Sequence, residues 1–251
     1  MTAWLLGYPV SALASTHAAL TLASELGHQY TVALVLYWAA TTHQLRRDVG
    51  PTRELAEALV ALSSDHGFQQ WGAAGTILAG WAQAEKGAEQ AGEETGIAQL
   101  RRGIGEYRAL GTEAFVPYFF SLLAAAYLKD GQTAAGLDAV AEALAAAAAT
   151  GQHVWDAELH RLKGELLLAQ DPVNVSEGAS AFRHAIEIAR GQGARSWELR
   201  AATSLARLLR GQGRREAARE TLAAIHDSFT EGFDTVDLRE AEALLEELSA
   251  R

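Results

Sequence analysis

Residues 119–151, FFSLLAAAYLKDGQTAAGLDAVAEALAAAAATG, hold two apolar runs at helical spacing, parted by Asp130 and Gly131 and stopped by Gly151. Within them the small residues Ala124, Gly136 and Ala143 alternate with the larger Leu123, Tyr127 and Val140. Large residues facing small ones let two helices cross closely, so the stretch reads as a helical hairpin. The same punctuation continues on both sides. Glycines that stop a helix recur at Gly27, Gly67, Gly111, Gly151 and Gly191 or Gly193, a step of about 40 residues. A second series, Gly7, Arg47, Gly87, Gly131, Asp171 and Gly213, marks the turn inside each hairpin at the same step.

Each unit is therefore helix A, a tight turn, helix B and an exit into the next helix A. Repetition at this period predicts one continuous all-α solenoid, since each hairpin covers its apolar face only by stacking on the next. The units are a partial first repeat over 1–28, hairpins over 29–67, 68–111, 112–151, 152–193 and 194–228, and a closing helix within 229–251. In the first unit helix A has lost most of its length, and the N-terminal end of the stack is expected to expose apolar surface that could drive self-association. At the other end Asp234 or Thr235 is expected to cap a helix that turns Leu238, Ala241, Leu244, Leu245 and Leu248 to one face.

Composition agrees. Of 251 residues 49% are hydrophobic and only 4 are proline, enough apolar surface for a core with little to interrupt helices. A formal net charge of -10 opposes direct nucleic-acid binding or docking on an anionic membrane. The chain has no cysteine, which removes disulfides and thiolate chemistry and fits a cytoplasmic setting. The longest uncharged apolar stretch, 115–128, contains Pro117 and falls short of the ~20 residues of a membrane span.

The repeat resembles the tetratricopeptide repeat, in which helix A carries a large residue, a Leu-Gly or Leu-Ala step and a tyrosine, and helix B carries spaced alanines. Leu205, Ala206, Leu209, Gly213, Ala218 and Leu222 follow that pattern, as do Gly164, Leu167, Gly178, Phe182 and Ala185 once two extra residues around Pro172 are allowed. Ala79, Gly80 and Gly87 follow it too, with about four extra residues in AEQAGEETG (88–96) before Leu100 and Gly103. The resemblance implies a right-handed superhelix. HEAT-type repeats share the longer period but lack the Gly/Ala-Tyr-Gly signature and rank second.

Longer segments, HQYTVALVLYWAATTHQLRRD (28–48), AELHRLKGELLLAQ (157–170), AFRHAIEIAR (181–190), ELRAATSLARLL (198–209) and FTEGFDTVDLREAEALLEEL (229–248), resemble the C-terminal tetratricopeptide region of large bacterial signalling ATPases. In that family an NTPase core follows a class III adenylate/guanylate cyclase domain or is joined to a DNA-binding domain. The resemblance implies a regulatory module that binds a protein or peptide partner, its own upstream NTPase domain included. The 88–96 insertion, and His153 and Val154 ahead of Trp155, depart from the pattern.

Catalytic signatures are missing. A P-loop needs a glycine-rich loop ending in lysine, and the only lysines are Lys86, Lys129 and Lys163. The pairs Gly103/Gly105 and Gly211/Gly213 follow no strand and complete no dinucleotide fingerprint. Asp156 and His160 share a helix face at i, i+4, but no third metal ligand lies nearby, and His17, His43 and His184 sit at scattered phases. No nucleophile elbow is present. The expected module is noncatalytic and holds no cofactor.

Its business surface is the concave face. Trp71, Phe115, Trp155 and Trp197 recur four residues after stop glycines and are read as wedges that pack helix A on the preceding helix B, whereas Trp38 and Trp81 lie at other phases. Projecting the groove phases onto each helix A gives Tyr37, Thr41, Gln44, Trp81, Glu85, Tyr118, Ser121, Lys129, Glu158, Arg161, Glu165, Arg200, Thr203, Arg207 and Arg210. Arg200, Arg207 and Arg210 would offer forked donors to a carboxylate or phosphate, or else pair with glutamates along a solvated face. A peptide or partner domain in a continuous groove is the leading reading. A deep aromatic pocket around Trp81 and Tyr118 would instead mark a small-molecule effector site.

Overall fold

A computed structural model describes residues 1–87 and 94–250; part of the 88–96 insertion lies outside the described residues. Every regular element among them is helical. A short α1 (Thr2–Leu5) precedes α2 (Pro9–Leu26), and hairpins follow as α3 (Gln29–Leu45) with α4 (Val49–His66), α5 (Gln69–Lys86) with α6 (Gly96–Ala109), and α7 (Val116–Lys129) with α8 (Thr133–Thr150). Then come α9 (Asp156–Gln170) with α10 (Val175–Gln192), α11 (Arg195–Gly211) with α12 (Arg215–His226), and α13 (Val236–Ser249). Each helix packs on its chain neighbour, and the first helices of successive hairpins, α3, α5, α7, α9, α11 and α13, also touch one another in order. The fold is an all-α solenoid of hairpins.

The two glycine series do different local work. Gly27, Gly67, Gly151 and Gly193 end their helices in the left-handed conformation, with φ of 67°, 70°, 71° and 65°. In the turn series Gly131 and Gly213 take φ of 74° and 76°, and Arg47 takes φ 65° at the same phase, where a side chain is strained. Glycines inside helices act through contact instead. A Cβ on Gly96 would fall 2.4 Å from the backbone nitrogen of Ala84, so α6 lies against α5 at a distance only glycine permits, whereas one on Gly136 would meet the end of the Leu166 side chain of α9.

The wedge aromatics are buried at Trp71, Trp155 and Trp197, and they join other rings into a chain along the core. Trp71 meets Tyr37, Tyr37 meets Phe115, Trp155 stacks on Tyr118 with centroids 4.4 Å apart, and Trp197 lies 6.0 Å from Trp155. Phe115 is only half-buried and starts α7 with φ 62°.

One feature departs from an open superhelix: its two ends meet. Trp4 of α1 is 2% exposed and sets its ring edge-on to Trp197 of α11, at 4.8 Å. Glu231 accepts hydrogen bonds from the backbone N–H groups of Val10 (2.9 Å) and Ser11 (2.8 Å) at the start of α2. These are among the N–H groups that a helix leaves unpaired, and the helix dipole favours a carboxylate there. Arg200 of α11 donates to the Leu45 carbonyl at the end of α3 (2.6 Å). The array thus returns on itself as a ring, which covers Trp4 and Leu5 but leaves part of the expected apolar surface at the N-terminal end exposed. The exposed apolar side chains near that end are Leu6, Val10, Leu22 and Leu26.

Candidate ligand-binding cavity

Closure turns the expected groove into a cavity. Along the inner helices the concave-face phases converge on a partly open space of about 290 Å³. Ten of the residues read as groove-facing line it: Gln44 from α3, Trp81 and Glu85 from α5, Tyr118 and Ser121 from α7, Glu158 and Arg161 from α9, and Arg200, Thr203 and Arg207 from α11. The other five sit elsewhere. Tyr37 and Thr41 are wholly buried on α3. Lys129 holds Glu85 from outside at 3.0 Å, Glu165 braces Arg161 at 3.6 Å and accepts from Ser204, and Arg210 pairs with Glu247.

The floor is aromatic. Trp81, Tyr118 and Trp197 are nearly inaccessible, and Tyr118 donates its hydroxyl hydrogen to Gln44 Oε1 at 2.8 Å, which fixes both side chains. Burial pushes the Tyr118 phenol far above its ordinary range, so it stays a neutral donor. The Arg200 guanidinium lies 5.0 Å from the ring centre of Trp4 and 5.1 Å from that of Trp197, a doubled cation–π contact within the seam.

Above the floor runs a chain of ion pairs. Arg161 grips Glu158 with two hydrogen bonds of 2.7 and 2.6 Å. Arg200 lies 3.8 Å from Glu158 and donates to Asp237 at 2.8 Å. Arg47 reaches Asp237 at 3.4 Å and Glu240 at 2.9 Å, and Arg207 reaches Glu240 at 2.9 Å. Burial alone would raise the Glu158 carboxyl, but Arg161, with Arg200 and Arg47 behind it, holds it below the ordinary carboxylate range. Burial likewise opposes ionisation of Glu240, and Arg207 and Arg47 reverse it.

These partners revise the expected anion site. Arg200, Arg207 and Arg210, read as donors to an incoming carboxylate or phosphate, each already face a carboxylate of α13. The cavity lining carries Arg47, Arg161, Arg200 and Arg207 against Glu85, Glu158, Asp237 and Glu240, so its charges balance. An anion would have to displace a carboxylate already in place. The late groove is closed by its own C-terminal helix.

Leu45, Arg47, Trp197, Ser204, Asp237 and Glu240, outside the expected groove positions, also line the cavity. One signal for them was visible: Arg47 stands at the turn phase where Gly7, Gly87, Gly131 and Gly213 stand in other units. A non-glycine residue held at positive φ invites a search for what its side chain does.

The histidines form no metal centre: among the described residues no three His, Asp or Glu side chains converge on a possible ion site. Asp156 turns to His153 at 2.8 Å, and His160 sets its ring against His184 at 4.5 Å. Burial, followed by His184 and Lys163, lowers the His160 pKa. No described helix is long and apolar enough to cross a membrane. Compared with known proteins, the chain matches no protein-family model, and no curated protein matches it.

Proposed function

We propose that this ring is a noncatalytic ligand-sensing module whose central cavity holds a small molecule with a flat apolar part and no net charge. The observation that carries the reading is the cavity itself: about 290 Å³ floored by Trp81, Tyr118 and Trp197. That volume lies just below the ~300–1,000 Å³ usual for small-molecule sites, and the lining is more polar than theirs, since eight charged side chains share it with the aromatic floor. Balanced charge favours a neutral or zwitterionic occupant over a phosphate ester. The array would act inside a bacterial cytoplasmic signalling protein, as the tetratricopeptide region beside an NTPase or cyclase core, and pass occupancy on as a change in its own shape.

The test is intrinsic tryptophan fluorescence with thermal shift against indole, neutral nucleosides, zwitterionic amino acids and their phosphorylated counterparts. A saturable response to uncharged or zwitterionic compounds, lost in Trp81→Ala while helicity persists, is the expected outcome. Preference for phosphorylated compounds would sink the charge argument.

A second reading, docking of a protein partner such as the upstream NTPase domain, is favoured by a different observation. Leu22 and Leu26 on α2 and Tyr30 on α3 are 56%, 64% and 47% exposed, an apolar face outside the ring. Loss of NTPase-domain binding in Leu22→Glu/Leu26→Glu, with cavity binding intact, would assign that face to a partner.

A further inference from the structure

The seam between the chain ends is built unlike the rest of the array. The buried apolar core forms two clusters: one runs from α1 to α9 and takes in Trp197 of α11 across the seam, the other joins α10–α13, and most of the remaining contacts between α1–α3 and α11–α13 are polar. The seam's apolar part is centred on the edge of Trp4 against Trp197, and Ser196 donates to the Trp4 carbonyl beside it. The remainder is Arg47 on Asp237 and Glu240, Arg200 on the Leu45 carbonyl, and Glu231 on the first turn of α2.

Two glycines are shaped to this closure. A Cβ on Gly232 would fall 2.1 Å from Pro9, and one on Gly7 would fall 3.2 Å from Arg195 and 3.3 Å from Phe229, all across the seam. At Gly27, Gly131 and Gly213 a Cβ would meet nothing within 4 Å. The fit is specific, yet outside the buried Trp4–Trp197 contact the seam includes partly exposed ion pairs, Arg47 with Glu240 among them, that water can replace. Arg47 carries the positive φ of its turn, where other units use glycine, and its side chain reaches Asp237 and Glu240 across the seam from that position.

We propose that the seam is a reversible clasp, and that closure of the clasp and occupancy of the central cavity favour one another. The cavity wall is supplied from both sides, by Gln44, Leu45 and Arg47 of the α3 end and by Trp197, Arg200 and Asp237 beyond the seam. Parting the ends removes part of that wall. A ligand that touches both sides binds the closed ring more tightly, and by linkage it draws the ring closed. The coupling rests on the cavity reading above; the clasp itself does not.

The chain has no cysteine, so label pairs can be placed freely. Ala18→Cys with Ala224→Cys spans the seam, and Ala145→Cys with Glu187→Cys serves as a control within the array. Pulsed electron-spin distances in the full chain should show one closed population for both pairs. In Asp237→Arg, and in the milder Arg47→Gly, a longer population should appear for the seam pair alone. Arg47→Gly guards against simple unfolding, because glycine suits φ 65° at that turn. Unchanged seam distances in both variants would overturn the clasp. Indole, a flat neutral probe, should shrink the longer population in Arg47→Gly. Indole that binds the closed ring by saturation-transfer NMR yet leaves the populations unmoved would overturn the coupling, whereas absence of indole binding would count against the cavity reading.

Discussion

The α5–α6 hairpin and the seam are both close junctions, but opposite in kind. In the hairpin, Gly80, Gly96 and Gly103 bring two backbones together around Leu100 and Ile77, both wholly buried. At the seam, segments some 190 residues apart in the chain meet through Arg47, Asp237 and Glu240, with side chains that remain partly in water. The first junction is local, apolar and repeated, so it carries stability. The second occurs once, sets polar contacts around a single tryptophan pair and bounds the cavity. Stability in a solenoid is a sum over neighbours, so the seam can govern shape without governing whether the chain folds.

That contrast is broken first by removing the one large side chain shared by core, seam and cavity. Trp197→Ala takes away the partner of Trp4, the ring beneath Arg200 and part of the cavity floor, and should cost about 4 kcal/mol in denaturant unfolding. Gly96→Val should follow at about 3 kcal/mol, because its Cβ has backbone of Ala84 and Gly80 within 2.4–2.6 Å and neither can yield. A Gly96→Val protein as stable as the parent would mean that the helices are not so close.

Glu158→Gln sharpens the electrostatic half of the comparison. It leaves Arg161 buried beside an amide and should destabilise the protein by about 3 kcal/mol at neutral pH. The native carboxyl of Glu158 lies below its unfolded value of about 4.3, so its contribution is complete above that pH and is lost as pH falls through the native value. Asp48, where burial opposes but His43 and Arg46 prevail, and Glu240 shift the same way. Stability should decline on the acid side, and the Glu158→Gln protein should show a shallower acid slope in urea melts followed from neutral pH downward.

Why the array was legible and the seam was not follows from range. Gly67 and Gly151 stop helices by their own φ, and a repeating need for φ leaves a repeating letter. The inner faces were legible for the same reason: Trp81, Tyr118, Glu158 and Arg200 recur at one helical phase and do meet in one cavity. Whether that face is an open groove or a closed space depends on accumulated curvature over five hairpins and the helices that flank them, to which each hairpin contributes a small rotation that no local pattern encodes. Hence Asp237 and Glu240, on a closing helix read only for its apolar face, are the partners of the arginine row. Trp197 shows the limit of phase arguments, since it is at once a wedge like Trp155 and a wall of the cavity.

Gly232 and Gly213 separate conformation from contact. Both have positive φ, 79° and 76°, so alanine at either should cost about 1 kcal/mol through the backbone. Only at Gly232 would the new Cβ also strike Pro9 across the seam. Gly232→Ala should therefore add a loss of closure that Gly213→Ala lacks, visible as greater proteolytic sensitivity near the start of α2. Equal behaviour of the two would remove the claim that Gly232 is fitted to the seam.

The smallest expected change in stability is at Arg47. Its side chain is 41% exposed, so its ion pairs with Asp237 and Glu240 stabilise little, roughly 0–1 kcal/mol. Its positive φ costs a similar amount, about 1 kcal/mol, which glycine would recover. Arg47→Gly should leave the unfolding free energy within about 0.5 kcal/mol of the parent while it loosens the seam. A residue that is nearly neutral for folding yet strained and bound across the ring is what a device for shape, as distinct from stability, requires. A large loss of stability in this variant would instead make Arg47 an ordinary structural bridge and reduce the seam to one more interface of the array.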